Sequence, residues 1–271
     1  MGSTDTDDEH RKGLEGLAGS LQSRDVDDNA SGEGEKQLTY MGAVSPWFFT
    51  HYGPDTFNKN FVYLADQHLY SKRWDSLIAS RDSFDIVQIL TWNDYGESHY
   101  VGPVKGALPI NSERWTDGMN HTAWLDLTRY YAQAFKSGVY PAIEKDAIYM
   151  WSRPHAADAD GGADGVGKPT NFEILQDAVW AVVMASAPST VVLSTSTDDN
   201  DTGSQHSFDV PAGVSKLAVP ITPGGTMKGV VMRNGQVVVQ LDVSPDEFTF
   251  QGSVSDKGYN YNAFVAGATA D

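Results

Sequence analysis

The sequence predicts two architectures in succession, an α/β segment over residues 38–155 and an all-β segment over residues 171–271. Three observations support this. In the first segment, short apolar runs alternate with stretches of helical spacing. In the second, valine-rich runs follow one another between turn residues. Between them lies 156–170 (AADADGGADGVGKPT), small, acidic and glycine-rich, which reads as a surface loop or linker.

The elements follow in order. Residues 1–37 carry ten acidic and four basic side chains and no aromatic one. Such a segment buries too little apolar surface to offset its ordering entropy, so a disordered acidic leader is expected. Tyr40–Val44 reads as a short buried strand ending at Ser45-Pro46, followed by a ring-crowded loop, Trp47-Phe48-Phe49. Asp66–Ala79 has helical spacing with Leu69, Trp74, Leu77 and Ile78 on one face. Phe84–Trp92 (FDIVQILTW) is mainly apolar, the pattern of a parallel strand buried on both faces. Ala123–Phe135 is amphipathic and is closed by Gly138 and Pro141. This rhythm suits an α/β barrel or an open sheet. In the tail, Val179–Met184, Thr190–Ser194, Ser207–Val210, Lys216–Ile221, Gly229–Arg233, Gln236–Asp242 and Phe248–Val254 read as strands of a β-sandwich. Asn234-Gly235 between two valine-rich runs is a strong hairpin signal.

Composition excludes several functions. The chain of 271 residues has a formal net charge of −17, from 36 acidic and 19 basic residues. That charge repels nucleic acid and anionic membrane surfaces but does not penalise a neutral polysaccharide. No cysteine is present, so disulfides, thiol catalysis and thiolate metal sites are excluded. The opening residues, MGSTDTDDEHRKG, lack the basic and apolar regions of a secretory signal. His10, His121, His155 and His206 show no metal-ligand spacing, and neither metal nor cofactor is expected.

The chemistry concentrates in Thr91–Tyr100 (TWNDYGESHY), at the end of an apolar strand. A D-x-x-E spacing is common on solvated surfaces and carries little by itself. Here Trp92, Tyr95 and Tyr100 flank the two acids, and a strand delivers them. In a barrel, residues just past a strand's C-terminal end line the active-site mouth. Glycosidic cleavage needs one protonated carboxyl for the leaving oxygen and a second, ionised one for water or the anomeric carbon. Rings beside the acids can stack on sugars and raise the pKa of the proton donor.

TWNDYGESHY resembles the signature of the glycoside hydrolase family of fungal α-1,3-glucanases, the mutanases. YMGAVSPWFFTHYG, NKNFVYLADQHLYSKRWDSLI and the Trp124–Phe135 helix resemble that family's neighbouring strand, loop and helices, in the same order. The resemblance implies the C-terminal part of a (β/α)8 (TIM) barrel followed by a β-sandwich. It implies endo-hydrolysis of α-1,3-glucan in the fungal cell wall with inversion, and an extracellular or cell-wall location. Asp94 and Glu97 match the family's catalytic pair, with the assignment of acid and base left open. Trp47, His51, Trp92, Asn93, Tyr95, His99 and Tyr100 are the expected substrate-binding residues, and Phe48 and Phe49 weaker candidates. The family's further aspartate, from an early barrel strand, has no counterpart here. A barrel takes about 250 residues, so a truncated and catalytically incomplete chain is expected, with a non-catalytic glucan-binding fragment or pseudoenzyme as the alternative. A monomer is expected, with glucan as its partner.

Overall fold

The computed structural model describes residues 40–162, 164–198, 200–254 and 257–271. The acidic leader lies outside the described residues. What is described is mostly β, in several sheets with few helices. A four-stranded antiparallel sheet forms the centre, in the order β10(Gly213–Pro220), β7(Ala178–Ala185), β5(Ala147–Ser152), β14(Phe264–Thr269). A second has the order β12(Gln236–Asp242), β11(Lys228–Arg233), β8(Ser189–Ser194), β9(Gln205–Val210).

The central sheet is covered on both faces. All six residues of β5 are buried, as are seven of the eight in β7. Strand side chains alternate between faces. Ile148, Met150, Val179, Ala181 and Val183 therefore point one way and join Val191, Leu193, Val231, Val239 and Leu241 of the second sheet in one apolar cluster. Tyr149, Trp151, Trp180, Val182 and Met184 point the other way and join a second, aromatic-rich cluster. That cluster is completed by Tyr70, Trp74 and Leu77 of helix α1(Leu69–Ala79) and by Trp124, Leu127 and Tyr131 of helix α3(Trp124–Ser137). The short helix α2(Glu113–Thr116) buries Trp115 in the same cluster.

Beyond the helices lies a parallel pair, β1(Met41–Val44) with β4(Ile86–Ile89), in register Met41 with Ile86 and Val44 with Ile89. Gly42 and Val44 face inward. A side chain at Gly42 would meet Leu77 at 2.6 Å and Phe84 at 3.0 Å, so the strand lies tightly on α1. The opposite face is open, with Met41 and Ile86 about half exposed. Here the reading of Phe84–Trp92 needs correction. β4 is shorter and is not buried on both faces, because among the described residues it pairs only with β1 and its outer face carries no second layer. Among the described residues, the (β/α)8 expectation finds this one strand–helix–strand unit and no closed barrel.

Other elements follow local chemistry. α1 begins three residues later than its spacing suggests, because Gln67 and His68 take left-handed φ of 61° and 58°. His68 is buried, its Nε2 donates to the carbonyl oxygens of Ala181 and Leu217, and burial pushes its pKa down to about 4. Gly138, at φ 75°, ends α3 and its N–H bonds the Ala134 oxygen, as expected of a glycine cap. Asn234 and Gly235, with φ of 52° and 76°, turn the β11–β12 hairpin. Residues 156–160, read from composition as loop, form most of β6(His155–Asp160), which pairs with β13(Gln251–Ser253). β5 and β14 were not legible as strands.

A partly buried ion pair joins the two large sheets. Arg233, at the end of β11, donates to both oxygens of Asp146, just before β5, at 3.1 and 2.6 Å. Ser186, just after β7, adds its N–H and hydroxyl at 2.9 and 3.1 Å. Burial alone would raise the Asp146 pKa, but these donors outweigh it and hold the carboxyl below its ordinary range. A carboxylate depressed in the folded state stabilises above its unfolded pKa, and that contribution fades as pH falls through the folded value. Asp146→Asn is expected to cost about 2 kcal/mol at neutral pH, with the gap to the parent narrowing in acid. Denaturant titrations at several pH values measure this, and a gap independent of pH would refute it.

Candidate active site

Thr91–Tyr100 folds into a closed turn held by its own backbone. Thr91 N–H bonds the His99 oxygen at 3.0 Å, Val101 N–H bonds the Thr91 oxygen at 3.0 Å, and His99 N–H bonds the Asp94 oxygen at 2.9 Å. The Thr91 hydroxyl oxygen accepts from the N–H groups of Asn93 and Asp94. Asp94 caps a one-turn 3₁₀ helix, Tyr95–Glu97, its Oδ1 accepting from Glu97 N–H at 3.2 Å. The motif thus spends its local bonds on fixing the two carboxylates.

Neighbouring elements add to this. β2(Phe49–His51) and β3(Asn60–Val62) form an antiparallel hairpin beside the turn. Thr50 Oγ1 on β2 donates to the Gly96 oxygen at 3.0 Å. Lys59, just before β3, places Nζ 2.9 Å from Glu97 Oε1, which raises the lysine pKa. The His99 Nε2 bonds the Ser45 hydroxyl at the end of β1. Gly96 packs so closely that a Cβ there would stand 2.4 Å from the Tyr52 hydroxyl.

Asp94, Glu97 and His99 converge: one polar atom from each lies within 4.8 Å of the others, all half-buried. Donors so spaced could share a cation, and they equally suit proton transfer. Burial raises the Asp94 pKa, the negative charge of Glu97 raises it further, and the Glu97 N–H, His99 and Lys59 act against them. His99 is lowered by burial, with Asp94 and Glu97 opposing. Asp94 therefore holds a proton to higher pH than an ordinary aspartate, beside an ion-paired Glu97.

The other expected ligands divide by exposure. Trp92, 58% exposed, and Asn93 lie open to solvent beside the acids. Trp47 is buried and donates Nε1–H to the Tyr261 oxygen, and Phe49 is fully buried. Tyr95 and Tyr100 are buried with their hydroxyls on the Pro103 and Met119 oxygens. His51 is buried between Asp164, at 2.9 Å, and Asn60, at 2.7 Å. These side chains brace the site from beneath and have no free polar edge for a sugar. Asp66 is likewise buried, on Arg153 and the Gln176 N–H. Sequence reasoning missed Lys59, Ser45 and Asp164. Each lies tens of residues from its partner, and no local pattern marks it.

A hydrogen-bonded turn that offers a raised aspartic acid, a paired glutamate and an exposed indole brings together the kinds of group that glycosidic cleavage uses. The chain belongs to glycosyl hydrolase family 71, whose family model matches residues 15–271. It is 34% identical over 229 residues to the glucan endo-1,3-alpha-glucosidase agn1 of Schizosaccharomyces pombe, covering 83% of this chain and 49% of that protein. It is 30% identical to a mutanase of Penicillium rubens, over 84% of this chain and 47% of the relative. A third relative, the ascus wall endo-1,3-alpha-glucanase of S. pombe, is 29% identical, over 82% and 51%. The chain thus spans about half the length of the curated relatives it matches. No solved structure matches it.

The close approach at Gly96 makes a test of the turn's fit. Gly96→Ala is expected to lower stability by about 1–3 kcal/mol through overpacking against Tyr52. Tyr52→Phe in the same chain removes the clashing hydroxyl and should recover most of the loss. Melting curves of the two single variants and the double decide it; strict additivity would rule the contact out.

Proposed function

We propose that this chain contributes to hydrolysis of α-1,3-glucan, with Asp94 as proton donor to the leaving glycosidic oxygen. The observation that carries this is the convergence of Asp94, Glu97 and His99 on a turn braced by its own backbone hydrogen bonds. The names of two relatives supply the substrate class, and one of these names an ascus wall, which supports a cell-wall location on this reading. Among the described residues, no helix is long and apolar enough to cross a membrane. On this reading residues 38–155 are the closing part of a (β/α)8 barrel, and the tail is a β-sandwich whose inner sheet also takes in β5.

The spacing refines the mechanism. An inverting pair stands about 6.5–9.5 Å apart to admit water. Asp94 and Glu97 approach within 4.8 Å. We therefore assign both to the leaving-group side. Glu97, anchored by Lys59, keeps the local field negative and so helps Asp94 retain its proton until the bond breaks. Inversion then needs a base on the opposite face of the sugar, a carboxylate beyond this cluster. The same short spacing favours the second reading, a glucan-binding segment that does not cut unaided.

Reducing-sugar release from insoluble α-1,3-glucan tests the proposal. Asp94→Asn and Glu97→Gln should each lower release by about 10²–10⁴-fold while polymer pull-down persists. Pull-down without release in the parent chain selects the binding reading, and full activity in Asp94→Asn rejects the assigned donor. In an active preparation, Lys59→Met removes a charge that lowers the Asp94 pKa, so the alkaline limb of kcat/KM should move to higher pH. A limb that stays put, or moves to lower pH, would exclude Asp94 as the group titrating there.

A further inference from the structure

Next to the acid cluster lies a group of rings that the mechanism above leaves without a task. On β3 the side chains alternate: Val62 is buried in the core, while Phe61 and the following Tyr63 lie on the other side. Phe61 is partly exposed and Tyr63 is 56% exposed. Phe48 completes the group. Its ring is stacked with Phe61 at a centroid distance of 5.4 Å and lies 4.7 Å from Tyr63. The same Phe48 meets the His99 ring edge-on at 5.5 Å. The rings are therefore continuous with the Asp94–Glu97–His99 cluster. Trp92 lies at the other end of the motif. Its indole packs against Gly102, where an added Cβ would be 2.8 Å from the ring, and more than half of the residue remains exposed.

We propose that Phe48, Phe61 and Tyr63 form a stacking platform that holds a sugar unit of the α-1,3-glucan next to the one being cleaved. This rests on the substrate reading given above. Three features select a neutral sugar over other occupants. Aromatic faces bind the apolar C–H faces of pyranose rings while leaving hydroxyls free to reach polar groups. Asp94 and Glu97 beside the platform accept hydrogen bonds from hydroxyls and repel anions. Lys59, on the same hairpin, is engaged by Glu97. Tyr63 is the informative residue, because its exposed ring contributes little to folding and much to a stacked ligand.

The experiment uses the Asp94→Asn chain, which cannot consume its ligand, with a soluble α-1,3-linked gluco-oligosaccharide as the probe and a β-1,3-linked one as control, in titration calorimetry. Tyr63→Ala should raise Kd for the α-linked probe about tenfold, the equivalent of losing one ring–ring contact. The melting temperature should stay unchanged, and Tyr63→Phe, which keeps the ring, should restore binding. Tight α-specific binding that Tyr63→Ala leaves intact overturns the platform and spares the substrate reading. Equal or absent binding of both probes by the Asp94→Asn chain overturns the substrate reading, and the platform with it.

Discussion

Burial of one sheet on both faces is the constraint on which the rest of the molecule depends. β5 and β7 offer apolar side chains to either side, aliphatic toward the second sheet and mainly aromatic toward the helices. The two sets of contacts cannot be chosen independently, because each strand has a single register. Tyr149 and Trp151 meet the helical layer only if Ile148 and Met150 meet the other sheet. The sheet therefore fixes α1 and α3, and α1 in turn supports β1 through Gly42 and Leu77.

Buried polar groups complete this frame where apolar packing cannot. His121 links the Tyr100 and Ala263 oxygens and stacks on the Tyr100 ring at 3.8 Å. Asn262 donates to the Tyr100 hydroxyl and to the Trp115 oxygen. Arg153 joins Asp66 to Asp177, and His51 joins the β2–β3 hairpin to Asp164. All of these bonds run between segments distant in sequence. An unpaired polar group in such surroundings is costly, so each bond holds a loop in one position. The turn that carries Asp94 and Glu97 rests on this frame through Tyr95, Gly96 and Tyr100, while the two carboxylates stay half-buried at its surface.

The catalytic proposal follows from that separation of duties. Backbone and hydroxyl hydrogen bonds hold the turn, while Trp92 and Asn93 remain open beside it. Half-burial of Asp94 beside a second carboxylate favours its protonated form, and Lys59 limits how far that goes. The closeness of the two acids, which neither residue's type nor its place in the sequence reveals, is what the proposed assignment of both to one side of the reaction rests on.

Amphipathic spacing and turn chemistry made much of the fold legible. α3 with its Gly138 cap, the Asn234-Gly235 hairpin and the run of β7 all rest on interactions a few residues long. The carboxylates were legible for the same reason, since D-x-x-E on a ring-flanked turn is a local pattern. β5 and β14 were missed because their strand character comes from a sheet assembled across more than a hundred residues, and β4 was overrated because an apolar run does not say whether a layer will cover it. Trp47, His51, Tyr95 and Tyr100 are aromatic like Trp92, and only packing separates bracing rings from an exposed one. The sequence by itself determined the family, the paired acids and the local turns; tertiary structure alone decided which rings face solvent, that Lys59 meets Glu97, and how close the acids stand, because those depend on distances between segments that no local pattern encodes.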